Sequence, residues 1–492
     1  MDLNLSGKQP TFHRQGREVN SFRLLVLLLL IFASGWLLKS ILQDEIHSPF
    51  DPTPVPTRIA NSYVMEAETR FTAGDLNGAI ASYKKATELD PKNSHLWSEL
   101  ARIQVYSSSL LTTDEERRNR LREALQSINQ AVKVDPEDST AHAVRAFVLD
   151  WNSNPIMSGD QSQALLTEAE QEATRALQLD NQNALALAYY AEILLDQSKW
   201  VQADQYIKQA LEKDPSQMDV HRVNAIVRET YREYNEAIKE YEKAAQITPN
   251  LTYLYISIGM NYRYLKQYER ALEYFAKAAT INEQLGVKDP VPFVAISKTY
   301  TQEGEFFSAS LNMFKALKYN PYSPDLYGQL GMVYFHSRNY ETAILALKCA
   351  VRGCSIQESC DLRRCDANLD PQIAIVGMPL SPNTVVYYYT YGSVLTGMHR
   401  PTDDMCTEAV QVLHEVRSMF SDNPEIMGVV EANEQVCASF GITYNGLLNP
   451  GSMVKKPLIQ VQTTPTPSVT SQLVPLTLTP SNSGSVNSTP IP

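Results

Sequence analysis

The residues whose type and spacing most invite chemistry are six cysteines, all beyond position 348: Cys349, Cys354, Cys360, Cys365, Cys406 and Cys437. A thiol can hold zinc, act as a nucleophile or close a disulfide, and its neighbours discriminate among these roles. Intervals of five, six and five residues through the first four produce no C-x-x-C pair, and no histidine lies among them, which disfavours zinc. An even number of cysteines on a segment expected outside a membrane favours disulfides, which would staple an irregular loop by limiting its unfolded freedom. The pairing stays open; Cys406 with Cys437 is one candidate.

Other signatures of chemistry are missing. The sequence has no H-E-x-x-H, no G-x-x-x-x-G-K-[ST] and no G-x-S-x-G, so no zinc-peptidase helix, phosphate loop or nucleophile elbow is expected. Its eight histidines are dispersed, and those at His221 and His336 fall on helices, where a lone imidazole packs or faces solvent. A formal charge of −12 argues against nucleic acid, since a phosphate-binding surface needs clustered Lys and Arg. The sequence thus predicts no catalytic residue, metal site, cofactor or small-molecule substrate.

The elements carrying these residues follow from an internal repeat. Between Ala60 and Gln357 one two-helix pattern recurs eight times, usually every 34 residues. Alanines mark it: Ala79, Ala124, Ala169, Ala203, Ala237, Ala271, Ala309 and Ala343, each followed seven residues later by Ala86, Ala131, Ala176, Ala210, Ala244, Ala278, Ala316 or Ala350. A further small residue precedes each unit's first alanine, at Ala67, Ala101, Ala146, Ala191, Ala225, Gly259, Ser297 or Gly331. Small side chains there let helix axes approach closely. Bulky residues such as Tyr83, Ile207, Tyr241, Phe275 and Leu347 supply an apolar side that one helix pair cannot bury alone, so neighbours must stack. Pro91, Pro136, Pro215, Pro249 and Pro321 stop the second helices.

This pattern resembles the tetratricopeptide repeat, over about 60% of the chain. The resemblance implies an all-α superhelical solenoid of eight to nine repeats, whose inner groove, lined by first helices, receives proteins or peptides. Its groove positions correspond to Tyr189, Glu192, Arg222, Ile226, Glu229, Tyr253, Met260, Arg263, Tyr264, Lys298, Met332, Phe335 and His336. Tyr, Met, Phe and Arg suit such an interface because they offer large area with polar or adaptable contact. Positions that hold Lys and Asn in chaperone-binding members carry Val64 and Glu68, or Ser98 and Arg102, so that clamp is not reproduced. Two repeats, around Trp97 and His142, carry about 11 extra residues between their helices. Lengthened turns are the plainer reading, and a docking ledge the sharper one.

The ends lie outside the solenoid. Residues 24–42 are apolar enough for one membrane span, and the excess of Lys and Arg before them predicts a cytoplasmic segment 1–23 and an exported remainder. Cleavage near Ala33-Ser34-Gly35 is the alternative, giving a secreted form. A Pro-rich spacer follows at 43–59, eight repeats at 60–357, a Cys-containing connection at 358–384, a degenerate ninth repeat and capping helix at 385–445, and a Ser/Thr/Pro-rich disordered tail at 446–492. Asn250-Leu251-Thr252 and Asn487-Ser488-Thr489 match glycosylation acceptors. The expected function is a non-catalytic protein-binding scaffold, membrane-anchored in a bacterial envelope. The alternatives are a spacer attached to wall or glycan through the tail, and an accessory subunit of an exported enzyme complex.

Overall fold

The computed structural model describes residues 20–42 and 58–444, apart from 112 and 367. The expected structures of segment 1–19, of most of the Pro-rich spacer (43–57) and of the Ser/Thr/Pro tail lie outside the described residues. The chain divides into two units, Met1–Arg58 and Ile59–Pro492.

The first unit contains helix α1, Ser21–Leu42. Its window Ser21–Ser40 has a mean hydropathy of 2.2 over 20 residues, and such a length rises about 30 Å, the thickness of a bilayer's hydrocarbon core. By length and composition α1 can cross a membrane.

The second unit is a solenoid of helix pairs. The first pair is α2 (Ala60–Thr72) with α3 (Leu76–Leu89), and the second α4 (Ser94–Ser108) with α5 (Asp114–Val134). The third joins α6 (Ser139–Asn152) to α8 (Ser162–Leu179) through the short α7 (Pro155–Ser158). Next come α9 (Ala184–Asp196) with α10 (Trp200–Lys213), α11 (Met218–Thr230) with α12 (Tyr234–Ile247), and α13 (Thr252–Tyr264) with α14 (Tyr268–Gln284). The series continues through α15 (Val291–Glu303) with α16 (Phe306–Tyr319) and α17 (Pro324–His336) with α18 (Tyr340–Val351). First helices pack on successive first helices: α4 on α6, α6 on α9, α9 on α11 and α13 on α15.

Each element of the repeat has a local cause. The marker alanines are fully buried between helices. A Cβ added at Gly259 would come within 2.5 Å of the Phe275 ring, and one at Gly331 within 2.7 Å of Leu347, so the small positions set the distance between the two helices of a pair. The turn between the helices requires one residue in the left-handed region. Gly74 and Gly304 supply it in two repeats, but Ser198, Arg232, Lys266 and Arg338 adopt φ of 57° to 61° in four others, at a cost that glycine would not incur.

The prolines do more than stop helices. Their carbonyls accept a hydrogen bond from the side chain six residues on: Trp97 to Pro91 at 3.1 Å, His142 to Pro136 at 3.0 Å, His221 to Pro215 at 2.8 Å, Tyr255 to Pro249 at 2.6 Å and Tyr327 to Pro321 at 3.0 Å. Each bond ties the inter-repeat turn to the next first helix, satisfying a carbonyl left free where the helix ladder ends. His142 and His221 are therefore structural. Their Nδ1 atoms lie 2.6 Å from Glu172 and Glu240 respectively.

The first insertion mainly lengthens a helix, whereas the second is shared between a longer helix and a longer connection that holds α7. Helix α5 has 21 residues and α8 has 18, against 14 in α3, α10 and α12. The Thr113 and Glu116 capping box starts α5.

After α18 the repeat gives way to a two-stranded antiparallel ribbon, β1 (Gly353–Cys354) with β2 (Ile375–Val376), and helix α19 (Ile356–Arg363). Helices α20 (Val385–Met398) and α21 (Cys406–Phe420) form a ninth pair, and α22 (Pro424–Ser439) packs on both. All six cysteines pair: Cys349 with Cys354, Cys360 with Cys365, and Cys406 with Cys437. The first two close five-residue separations around the ribbon and α19, whereas the third joins α21 to α22 across 31 residues. Limiting that longer loop contributes about 4 kcal/mol, against about 2 for each short one. Buried Tyr391, Val394, Leu413, Val416 and Val430 complete this end of the core.

Candidate partner-binding groove

The first helices line the inner face, and the structure divides that face into two parts. Across the N-terminal half it is filled by the chain's own side chains. Asp219 of α11, 1% exposed, accepts hydrogen bonds from the Tyr106 hydroxyl and, at 2.9 Å, from Arg102, both on α4. Two repeats thus separate groups that meet across the axis. Arg102 is held also by Glu99 at 2.7 Å. Arg222 is 1% exposed and donates to both oxygens of Glu192, at 2.6 and 2.5 Å, in a two-pronged pair.

Aromatic rings close the remaining space. Phe147 stacks on Tyr189 with centroids 4.5 Å apart, Tyr106 on Tyr253 at 5.8 Å, and the Arg222 guanidinium lies 5.3 Å from the Phe147 centroid. Asp150 and Asp196 sit beside Glu192, and burial first, then repulsion from neighbouring carboxylates, pushes both above the usual carboxylate range. At the edge of this turn the Asn250 amide donates to the Thr72 carbonyl at 3.2 Å, so the residue of the predicted acceptor triplet is engaged by the first repeat.

Of the groove residues expected from sequence, Tyr189, Glu192 and Arg222 are therefore buried in this filled turn. Tyr253 is half-buried at its margin, as is Ile226. Glu229 accepts from the Tyr241 hydroxyl at 3.1 Å and from the Asn261 amide, and burial, outweighing those bonds, raises it to about 7. Sequence reasoning missed Tyr106, Phe147, Asp150 and Asp219, and placed Arg102 only at a position of the clamp that is not reproduced. A signal was present in the opposite charges at adjacent inner positions of neighbouring repeats, Glu192 with Arg222, but which repeats meet across the axis depends on the accumulated twist.

The C-terminal half is different. Met260, Arg263, Tyr264, Lys298, Met332, Phe335 and His336 lie on α13, α15 and α17 and are all partly exposed. Tyr264 stacks on Tyr234 at 5.0 Å, Phe335 meets His336 edge-on at 5.6 Å, and Phe306 stacks on the same imidazole at 6.5 Å. Burial lowers the His336 imidazole below its ordinary value. For Lys298, burial, opposed by the charge of Asp325 and reinforced by that of Arg263, lowers the ammonium to about 8. This row combines accessible aromatic and thioether surface with two cations, the composition that anchors protein interfaces.

A family profile described as "Tetratricopeptide repeat" matches residues 60–93 and 252–285, coincident with the first pair and with α13 and α14. The chain thus carries tetratricopeptide repeats at these two places. It is 26% identical over 133 residues to anaphase-promoting complex subunit 3 of Schizosaccharomyces pombe, an alignment spanning 27% of this chain and 19% of that one. The chain therefore matches about a fifth of that relative's length. Among solved structures, the Cut9–Hcn1 hetero-tetramer of APC/C aligns over 82% of this chain and 81% of that one, with 15% identity and a TM-score of 0.43. A tetratricopeptide repeat protein from Parabacteroides merdae aligns over 56% and 98%, with 18% identity and a TM-score of 0.34. Proteins of this fold are generally non-catalytic scaffolds that bind other proteins.

Proposed function

We propose that this chain is a non-catalytic protein-binding scaffold, anchored by α1 with its repeats outside the membrane, and that partners bind along the C-terminal part of the groove. The observation that carries the reading is the contrast between the two halves of the inner face. Groups of the N-terminal half are already matched to one another, whereas the row from Met260 to His336 leaves aromatic, thioether and cationic surface partly exposed. The charge asymmetry around α1 supports the orientation, and six paired cysteines suit an oxidising compartment.

Alanine substitution of Arg263 and Tyr264 tests the reading, with the full-length chain recovered from its native membrane with its bound proteins. The double variant keeps its helical circular dichroism and loses partners that the parent retains. Retention of every partner by a folded variant would remove the groove from the account. Retention that depends instead on residues 446–492 would favour the surface-spacer alternative.

A further inference from the structure

We propose that Arg263 and Lys298 form a subsite for the carboxylate of an Asp or Glu side chain, carried by an extended partner segment that lies along the groove. The inference rests on the groove reading above and specifies the chemistry of what the groove takes.

The pair is exceptional among the inner-face cations. Arg102 is bound by Glu99 and Asp219, Arg222 by Glu192, and Arg228 by Asp204 and Glu233. Arg263, by contrast, has among the described residues a single long bond, 3.5 Å to the carbonyl of Ala295, and its guanidinium lies 5.9 Å from the Phe275 ring centroid. Lys298 makes no hydrogen bond or ion pair among the described residues. The nearest acidic influence on Lys298 is Asp325, whose oxygens are taken by the Tyr387 hydroxyl at 2.8 Å and the Gln329 amide at 2.5 Å. Tyr264 and Tyr268 are the other titratable groups facing Arg263. Two partly desolvated cations that repel each other and lack a counter-ion gain from one anion placed between them, and the gain is larger in a half-buried groove than in water.

Two further observations select the form of that anion. The groove continues on both sides of the pair, with Met260 and Tyr264 before it and Met332 and Phe335 after it, so a bound chain passes through and presents a side chain. The protein's net charge of −12 repels strongly acidic partners at long range, which favours a mostly uncharged segment whose single carboxylate meets the pair.

The test uses the full-length chain in detergent micelles and an array of random peptides of about 12 residues. Each peptide is printed also with Asp and Glu replaced by Asn and Gln, and again with phosphoserine at the same positions. The expected result is that acidic peptides bind on the order of tenfold or more tightly than their amide twins. Arg263→Gln and Lys298→Gln should each reduce that ratio without altering circular dichroism, and bound peptide should protect Lys298 from acylation by acetic anhydride, read by mass spectrometry. Amide twins that bind as well as their acidic parents would overturn the subsite and leave the groove standing. Binding by phosphoserine peptides alone would overturn it in favour of a phosphopeptide site, and binding by no peptide would overturn both the subsite and the groove.

Discussion

Replacing Asp219 with alanine removes the carboxylate that joins α4 to α11 across the axis of the N-terminal turn. The position is 1% exposed, so the loss is not compensated by water. Arg102 keeps Glu99 and Arg222 keeps Glu192, so the losses are the Arg102 bond at 2.9 Å, the bond from the Tyr106 hydroxyl and the longer ion pair with Arg222 at 3.8 Å. Removing one partner of a buried ion pair costs about 3–5 kcal/mol, because the other partner stays desolvated. The exposed pair Arg175–Glu137, with side chains 42% and 75% exposed, provides the control. Its removal by Glu137→Ala should cost under about 1 kcal/mol. Urea unfolding followed by circular dichroism gives the totals, and amide hydrogen exchange locates the loss, since repeat arrays can unfold in parts. Faster exchange in α4 and α11 with α17 unchanged is the expected pattern. A penalty for Asp219→Ala no larger than that for Glu137→Ala would refute the idea that the turn is held closed by this network.

Three other outcomes follow from the geometry. Gly259→Ala places a methyl against Phe275 and should destabilise by about 1–3 kcal/mol, measured as a lower urea midpoint. Lys266→Gly relieves a left-handed residue at φ 57° and should stabilise by roughly 0.5–1 kcal/mol after the glycine's extra unfolded entropy is counted; a lower melting temperature would contradict that assignment. His142 is raised by the hydrogen bond its Nδ1 donates to the Glu172 carboxylate, with burial opposing, so its NMR titration should lie above the free-histidine value of about 6.5. The stability this histidine contributes is fully present below that value and is lost as pH rises through the folded pKa.

The repeat was legible because its signals are local and periodic. Ala79 and Ala86, or Ala343 and Ala350, mark buried helix contacts with no knowledge of the rest of the chain, and Pro91 or Pro321 marks a helix stop from its missing N–H. The left-handed turn residues were not legible, because Ser198, Arg232, Lys266 and Arg338 occupy them against their own preference and only packing on both sides holds them there. Pairing of Cys349 with Cys354 depends on how the ribbon folds back, which five intervening positions do not reveal. The groove was half legible. Repeat register identifies inner positions such as Tyr189 and Lys298 alike, yet Tyr189 is sealed and Lys298 is not, because closure is set by a rotation summed over several repeats.

Site-specific photo-crosslinking in cells tests the central claim most directly. A photoreactive phenylalanine analogue is placed at Tyr264 or Phe335 in the open groove, or at Val201, which is 67% exposed on a second helix, and adducts are identified by mass spectrometry. The account predicts reproducible adducts with the same extracytoplasmic protein from both groove positions and none with it from Val201. Adducts from Val201 alone, or adducts from all three positions without preference, would contradict it.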